Sequence, residues 1–257
     1  MLLDVDGTLA DTEEVHRRAF NSAFAEAGLD WNWSRDLYHQ LLAVTGGKER
    51  IRYFLDAFHA ARPVAGISDE YIAQLHARKT VFYTAALAAG EVPLSPGVER
   101  LIHEARHAGL RLAIVTTTTE ANVTALLEHS FTADVAQWFD VIAAGNVVAK
   151  KKPAADIYEY ALDKLGLAAD QCLAIEDSAN GLQSALAAGV DTLITINHFT
   201  RDQDFTGAAQ VVDHLGEPGQ PCHAIAGALP PDSLVDVAYL QRLHADCLQR
   251  RGAQAGG

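Results

Sequence analysis

Two aspartates set two positions apart, in Asp4-Val5-Asp6-Gly7-Thr8, have the types and spacing that best suit chemistry in this chain. Strand side chains alternate faces, so a strand continuing through them would point Asp4 and Asp6 the same way. Gly7 then permits a sharp turn. Two carboxylates this close repel unless a hard cation, a shared proton, or both lie between them. The same string also serves as an ordinary surface turn, and taken alone it leaves both readings open.

Further candidates lie downstream. Thr116-Thr117-Thr118-Thr119 offers hydroxyls, Lys150-Lys151-Lys152-Pro153 ammonium groups, and Glu176-Asp177-Ser178 two acids. Separately these read as a Thr-rich turn, a solvated Lys run and a helix cap. Thr45-Gly46-Gly47-Lys48-Glu49-Arg50 pairs glycines with basic residues at a helix start, which suits an anion. It lacks the spacing of a nucleotide-binding P-loop. Glu13 and His16 are three apart and share a helix face. His103-Glu104-Ala105-Arg106-His107 matches a zinc-protease pattern. However, Val98, Leu101, Ile102 and Ala105 form the apolar stripe, so at about 100° per residue both histidines fall on the opposite face.

The elements that must position these groups follow from periodicity. Met1-Leu2-Leu3 reads as the end of a buried strand, short against the usual five or six residues; either its true start lies upstream or the strand is clipped. Asp11 is the expected N-cap of a helix that runs to about Ala27 and stops at Gly28. Helices are expected over Arg35 to Leu42, Arg50 to Ala61 and Asp69 to Ala88. Pro93 marks a boundary, followed by a helix with Ser95 as N-cap and Pro96 at its first position. From Arg111 short apolar strands alternate with helices. The strands are Leu112 to Val115, Phe139 to Ala143, Leu173 to Ile175 and Leu193 to Ile196; the helices cover about residues 120–129, 154–165 and 179–188. This pattern predicts βαβ units and a parallel sheet, with functional groups at the carboxyl ends of its strands. A last helix is expected from about Ser233 to Gln249, its stripe of Leu234, Val237, Leu240, Leu243 and Cys247 docking on the core, with a flexible tail from Gly252.

Composition excludes several classes. The 257 residues are 49% hydrophobic and 21% charged, with net charge −13. That balance argues against nucleic acid and anionic membranes as partners. Cys172, Cys222 and Cys247 are too scattered for a disulfide framework or zinc site. No apolar run has membrane-spanning length, and the expected location is cytoplasmic, as a monomer or weak dimer.

The gathered residue types suit phosphoryl transfer through an aspartyl-phosphate. One carboxylate attacks, a second handles the proton, a cation neutralises charge, and Lys and Thr hold phosphoryl oxygens. The stretch from Asp4 to Thr12 resembles the first motif of the haloacid dehalogenase superfamily. Thr116, Lys152-Pro153, and Glu176 to Gly181 resemble its second, third and fourth, in order. The similarity covers nearly residues 1–216. It implies an α/β fold: a Rossmann-like parallel sheet core with strand order 5-4-1-2-3 and an inserted α-helical cap. The core is then residues 1–11 and 93–218, the cap 12–92, and 219–257 a C-terminal extension. Glu13, His16, residues 45–50 and the wording of 12–21 are similar to CbbY-type phosphatases, which act on xylulose 1,5-bisphosphate.

The resemblance implies Asp4 as nucleophile and Asp6 as acid/base, and Mg²⁺ held by Asp4, the Asp6 carbonyl and Asp177, with Glu176 beside them. It further implies Thr116, Thr117 and Lys152 on the transferred phosphoryl, and Glu13, His16, Gly47, Lys48 and Arg50 on a small sugar phosphate. The rivals are a phosphomutase resembling β-phosphoglucomutase, another sugar or glycolate phosphate phosphatase, and a non-catalytic metabolite-binding regulator.

Overall fold

The strand-and-helix alternation folds into one seven-stranded sheet in the computed structural model, which describes residues 1–58, 67–131, 134–230 and 233–255. The strands are β1 (Leu2–Leu3), β2 (Ala113–Val115), β3 (Val141–Ala143), β4 (Leu173–Glu176), β5 (Asp191–Thr195), β6 (Gln210–Val212) and β7 (Ala224–Ala226). Their order is β3-β2-β1-β4-β5-β6-β7. The first five, read from the far edge, give the implied order 5-4-1-2-3. All neighbours are parallel except β6 and β7.

The two-residue β1 is central, which is how so short a strand holds. Leu2 pairs with Ala113 on one side and Ala174 on the other, and Leu3 with Ile114 and Ile175. Hydrogen bonds from the Met1 ammonium to Arg111 O (2.6 Å), from Ala113 N to Met1 O (3.0 Å) and from Asp4 N to Ile175 O (3.1 Å) extend the pairing at both ends. Leu2 and Leu3 are fully buried on opposite faces, each contributing about 1.5–3 kcal/mol. The same alternation runs through the neighbours: Ile114 and Ile175 face one layer, Ala113, Val115 and Ala174 the other. One layer holds α5 (Val98–His107) and α6 (Glu120–Ser130), and the other α7 (Asp156–Leu165) and α8 (Ala179–Ala187).

Between β1 and β2 stand α1 (Glu13–Glu26), α2 (Arg35–Leu41), α3 (Gly47–Ala57) and α4 (Asp69–Ala88). They form the helical cap around a separate cluster of Phe20, Phe24, Trp31, Trp33, Tyr38 and Phe54.

Several boundaries differ from expectation. The N-cap of α1 is Thr12, not Asp11, and its hydroxyl is drawn to Asp6 rather than to the helix. The helix α3 starts at Gly47 instead of Arg50, because Gly46 turns the chain at φ +98°; the expected end at Ala61 lies outside the described residues. The N-cap of α5 is Gly97 rather than Ser95, with φ +90°, and a Cβ there would lie 2.5 Å from Gly216 O. Ser95 N donates to Leu9 O, which ties this turn to the segment after β1. The final helix, α9 (Val237–Ala255), begins later than Ser233, because Ser233 O and Val235 N pair with Cys222 and Leu215 in extended form. It also runs through Gly252, where a flexible tail was expected; Arg251 anchors it to Gly189 O and Asp191. The edge strand β7 was not anticipated, since Ala224-Ile225-Ala226 is short and Ile225 is exposed. His107 is exposed and His103 packs on Trp138, so the zinc-protease pattern lies on a surface helix. Among the described residues no helix is long and apolar enough to cross a membrane.

Candidate active site

Four segments at the carboxyl ends of adjoining strands build the floor of a cavity of about 820 Å³. Asp4 follows β1, Thr116 follows β2, Lys152 comes from the loop after β3, and Asp177 follows β4. The Lys152 ammonium spends its three donors on Asp4 Oδ1 (2.7 Å), Glu176 Oε1 (2.5 Å) and Val115 O (2.9 Å). Tyr158 OH donates to the same Glu176 oxygen at 2.6 Å. Of the three lysines in the run, Lys150 is exposed, Lys151 pairs with Glu49 and only Lys152 is buried.

Charge on this floor does not balance. Asp4, Glu176 and Asp177 are all buried and offer oxygens within 4.8 Å of one another, against one ammonium. Burial pushes Asp4 up to about 8 although Lys152 pulls the other way, and burial with the neighbouring acids raises Asp177 well above its usual range. Burial also works against the charge on Lys152, but Asp4 and Glu176 outweigh it and raise that group. Glu176 Oε2 is buried without a hydrogen-bond partner. Three convergent carboxylates, one with an orphaned oxygen, fit a hard divalent cation bound through oxygen. The carboxylates also press on bare backbone. A Cβ on Gly7 would lie 2.1 Å from Asp177 Oδ2, and one on Gly181 would lie 1.9 Å from Glu176 Oε2. Glu176 cannot swing clear while Lys152 and Tyr158 hold it. Gly181→Ala is therefore expected to cost about 1–3 kcal/mol, read as a lowered melting temperature; an unchanged melt would mean that Glu176 is free to move.

A second chain of polar groups rises from the floor into the cap. Asp6 Oδ1 accepts from Thr12 Oγ1 (2.7 Å) and meets His16 Nε2 (2.8 Å); His16 Nδ1 meets Lys79 Nζ at 2.5 Å. A charged lysine can only donate, so Nδ1 accepts and Nε2–H donates to Asp6. Tyr83 stacks on the imidazole, 4.0 Å between centroids. Burial alone would raise Asp6, but His16 and Thr12 hold it well below the usual carboxylate range. Burial lowers His16 and brings Lys79 down to about 7.

The far side of the cavity is basic. Arg50 NH1 donates to Tyr38 OH at 2.8 Å, and that hydroxyl donates to Glu13 Oε2 at 2.7 Å. Lys48, Lys151 and His76 line the same space. Burial, helped by Lys79, Lys151 and Lys48, lowers His76 to about 3 and so keeps it neutral. Gly47 is needed for close approach, since a Cβ there would lie 2.4 Å from the His76 ring.

The family model for haloacid dehalogenase-like hydrolases matches residues 1–195. The chain belongs to that family. CbbY of Rhodobacter capsulatus is 52% identical over 208 residues, 81% of this chain and 89% of that protein. The plasmid-borne CbbY of Cupriavidus necator is 49% identical over 221 residues, 86% of this chain and 87% of that one. Among solved structures, a mutant CbbY of Rhodobacter sphaeroides in complex with xylulose 1,5-bisphosphate superposes with a TM-score of 0.78 at 46% identity, covering 83% of this chain and 92% of that one. This hydrolase is thus a CbbY-type phosphatase.

The fold of the hydrolase brings Asp4, Asp6, Glu13, His16, Gly47, Lys48, Arg50, Thr116, Thr117, Lys152 and Asp177 into the lining of one cavity, with Glu176 fully buried beside Lys152. The Asp6 carboxylate turns to His16 and Thr12 and stands outside the carboxylate trio. Sequence reasoning passed over Lys79, Tyr38, His76 and Asn197. Lys79 left a usable signal: Ile72, Leu75, Lys79, Tyr83 and Leu87 form the buried stripe of α4, and a lysine in such a stripe asks for a polar partner.

Proposed function

We propose that this hydrolase is a Mg²⁺-dependent phosphatase of a small sugar bisphosphate, xylulose 1,5-bisphosphate first among the candidates. The observation that carries the reading is a cavity between core and cap: a carboxylate trio with Lys152 from the core, and Lys48 and Arg50 from the cap helix α3, where Lys151 pairs with Glu49. The core side suits a phosphoryl group in transfer, the cap side a second phosphate that stays on the sugar. The Rhodobacter sphaeroides complex supports the choice of sugar. The catalytic core is residues 1–11 and 93–218, with the cap at 12–92 and a C-terminal extension at 219–257; the expected location is cytoplasmic.

Asp4 attacks phosphorus while Thr116, Thr117 and Lys152 hold the phosphoryl oxygens. Asp4, Glu176, Asp177 and the Asp6 carbonyl would hold Mg²⁺, which when bound neutralises the charge crowded between carboxylates and phosphate. Asp6 gives a proton to the departing sugar oxygen, then takes one from the water that cleaves the aspartyl-phosphate. Asp6 is held ionised, so its proton has to be delivered. The hydrogen-bonded line from Lys79 through His16 supplies a route, each proton moving one bond along. Glu13, itself held by the buried Tyr38 hydroxyl, then orients the sugar hydroxyls, with Lys48 and Arg50 on the distal phosphate.

The test is phosphate release with Mg²⁺ from a panel of sugar mono- and bisphosphates that includes xylulose 1,5-bisphosphate. Isomerised product without released phosphate would favour a mutase, and no turnover on any member would favour a metabolite-binding protein. Arg50→Ala is expected to raise KM for the bisphosphate about tenfold, in line with a lost charged hydrogen bond of 1.5–3 kcal/mol, and to leave KM for a monophosphate nearly unchanged. Equal effects on both would remove Arg50 from the distal phosphate.

A further inference from the structure

The loop after β5 touches both ends of this machinery. Asn197 Nδ2 donates to Asp177 Oδ2 at 2.7 Å, on the carboxylate that belongs to the trio. The approach is tight: a Cβ on Gly7 would lie 2.7 Å from the same nitrogen. The Asn197 amide is itself fixed, because its Oδ1 accepts from Phe199 N at 2.8 Å and its backbone N–H donates to Thr200 Oγ1 at 3.0 Å. Six residues on, Gln203 Oε1 accepts from Ala179 N at 2.7 Å, which pins the loop to the start of α8 just beyond Asp177.

Phe199, between these anchors, leaves the core altogether. It is 4% exposed and sits in the aromatic cluster of the cap, where every other buried member comes from residues 20–75. Its ring meets Tyr38 edge-on, 5.9 Å between centroids at 82°. Tyr38 is the residue whose hydroxyl joins Glu13 to Arg50. Asn197 and Phe199 share a hydrogen bond, so displacing the Phe199 backbone moves the acceptor that orients the amide. A cap side chain is thus connected to a carboxylate of the floor through two residues.

We propose that Asn197 and Phe199 act together as positioning residues: Asn197 aims the Asp177 carboxylate for the cation, and Phe199, seated in the cap beside Tyr38, holds Asn197 in the pose that does so. Cation binding and cap seating then favour each other, since coupling of two sites acts equally in both directions. The inference rests on the cation reading given above and is independent of which sugar is hydrolysed. A partner that hydrogen-bonds a metal ligand typically contributes 10–100-fold in metal affinity.

The experiment is calorimetric titration of the whole protein with Mg²⁺ alone, without substrate. Asn197→Ala should weaken Mg²⁺ binding at least tenfold. Phe199→Ala, which removes no polar group and touches none of the carboxylates, should weaken it by about threefold or more, and Phe199→Leu, which refills the cap, should restore most of the loss. The double variant Asn197→Ala with Phe199→Ala should bind no more weakly than Asn197→Ala alone, because both act through the same amide. Phe199→Val, a smaller truncation, carries the measurement if the alanine variant does not fold. Wild-type Mg²⁺ affinity in the Phe199 truncations, or losses that multiply in the double variant, would overturn the coupling. No Mg²⁺ binding by the unaltered protein would overturn the cation reading with it. Failure of the sugar panel alone leaves this titration intact. In turnover of any phosphomonoester the protein cleaves, excess Mg²⁺ should restore kcat to Asn197→Ala at a temperature where its melt without Mg²⁺ shows it fully folded, which excludes rescue by refolding.

Discussion

Asp4→Asn is expected to abolish turnover, by about four orders of magnitude or more, while the protein stays folded. Loss of a nucleophile that acts as one unit with its neighbours removes nearly all of the catalysis those neighbours support. Asparagine keeps the shape of the side chain, so packing against Thr8 and the end of β1 persists. Its charge is gone, however. One of three buried carboxylates is relieved, and Lys152 keeps Glu176 and Val115 O as partners. The melting temperature should therefore stay level or rise, and circular dichroism should match that of the unaltered protein. Phosphate release under saturating Mg²⁺ is the measurement. Near wild-type rates would remove Asp4 from the role of nucleophile. A loss of activity accompanied by unfolding would mean that the Asp4–Lys152 pair holds the floor together, and Asp4→Ser would then separate the two effects, because it shortens the side chain and leaves room for water beside Lys152.

How much of this site was legible in the chain follows from where each group sits. Asp4, Thr116, Lys152 and Asp177 were readable because each follows an apolar strand or its adjoining loop, and a parallel sheet brings such positions to one edge. Glu176 was readable only as a neighbour of Asp177; its contact with Lys152 depends on alternation along β4, which turns Glu176 inward. The cap was harder. Glu13, His16 and residues 45–50 share local motifs, whereas Lys79 reaches the cavity, and Tyr38 the Glu13–Arg50 pair, from separate helices, and no spacing joins them to Asp6 or Arg50. Asn197 lies farther still, on a loop whose only marks are an Asn and a Phe. Boundaries failed for a related reason. Asp11 and Ser95 are good caps by type, but the Thr12 hydroxyl is drawn to Asp6 and the chain enters α5 through Gly97, at φ +90° against Gly216, so tertiary contacts overrode local preference.

Lys79→Met should have opposite effects on stability and on turnover. Lys79 is 3% exposed, its ammonium over the Phe20 and Tyr83 rings, and burial brings it from 10.5 down to about 7. A lowered lysine means that the unfolded chain binds the extra proton between pH 7 and 10.5, so unfolding free energy rises with pH across that window. The cost of burying the charge is fully present below pH 7 and is relieved as pH climbs toward 10.5. Methionine fills nearly the same volume without a charge, at the expense of His16 Nδ1, which loses its donor. The balance favours the variant by about 1–3 kcal/mol near neutral pH, taking roughly 1.4 kcal/mol per pK unit and deducting the unpaired nitrogen. The gain over the unaltered protein should shrink at pH 9. Turnover should move the other way. Without Lys79 the line to Asp6 has no proton source, and kcat should fall about a hundredfold with KM little changed, within the range that general acid catalysis supplies. Thermal melts at pH 6.5 and pH 9, with kcat measured on the same samples, decide the matter. A variant that melts lower at neutral pH would show that Lys79 contributes as a structural ion. Unchanged kcat would detach the Lys79–His16 line from the proton that Asp6 delivers.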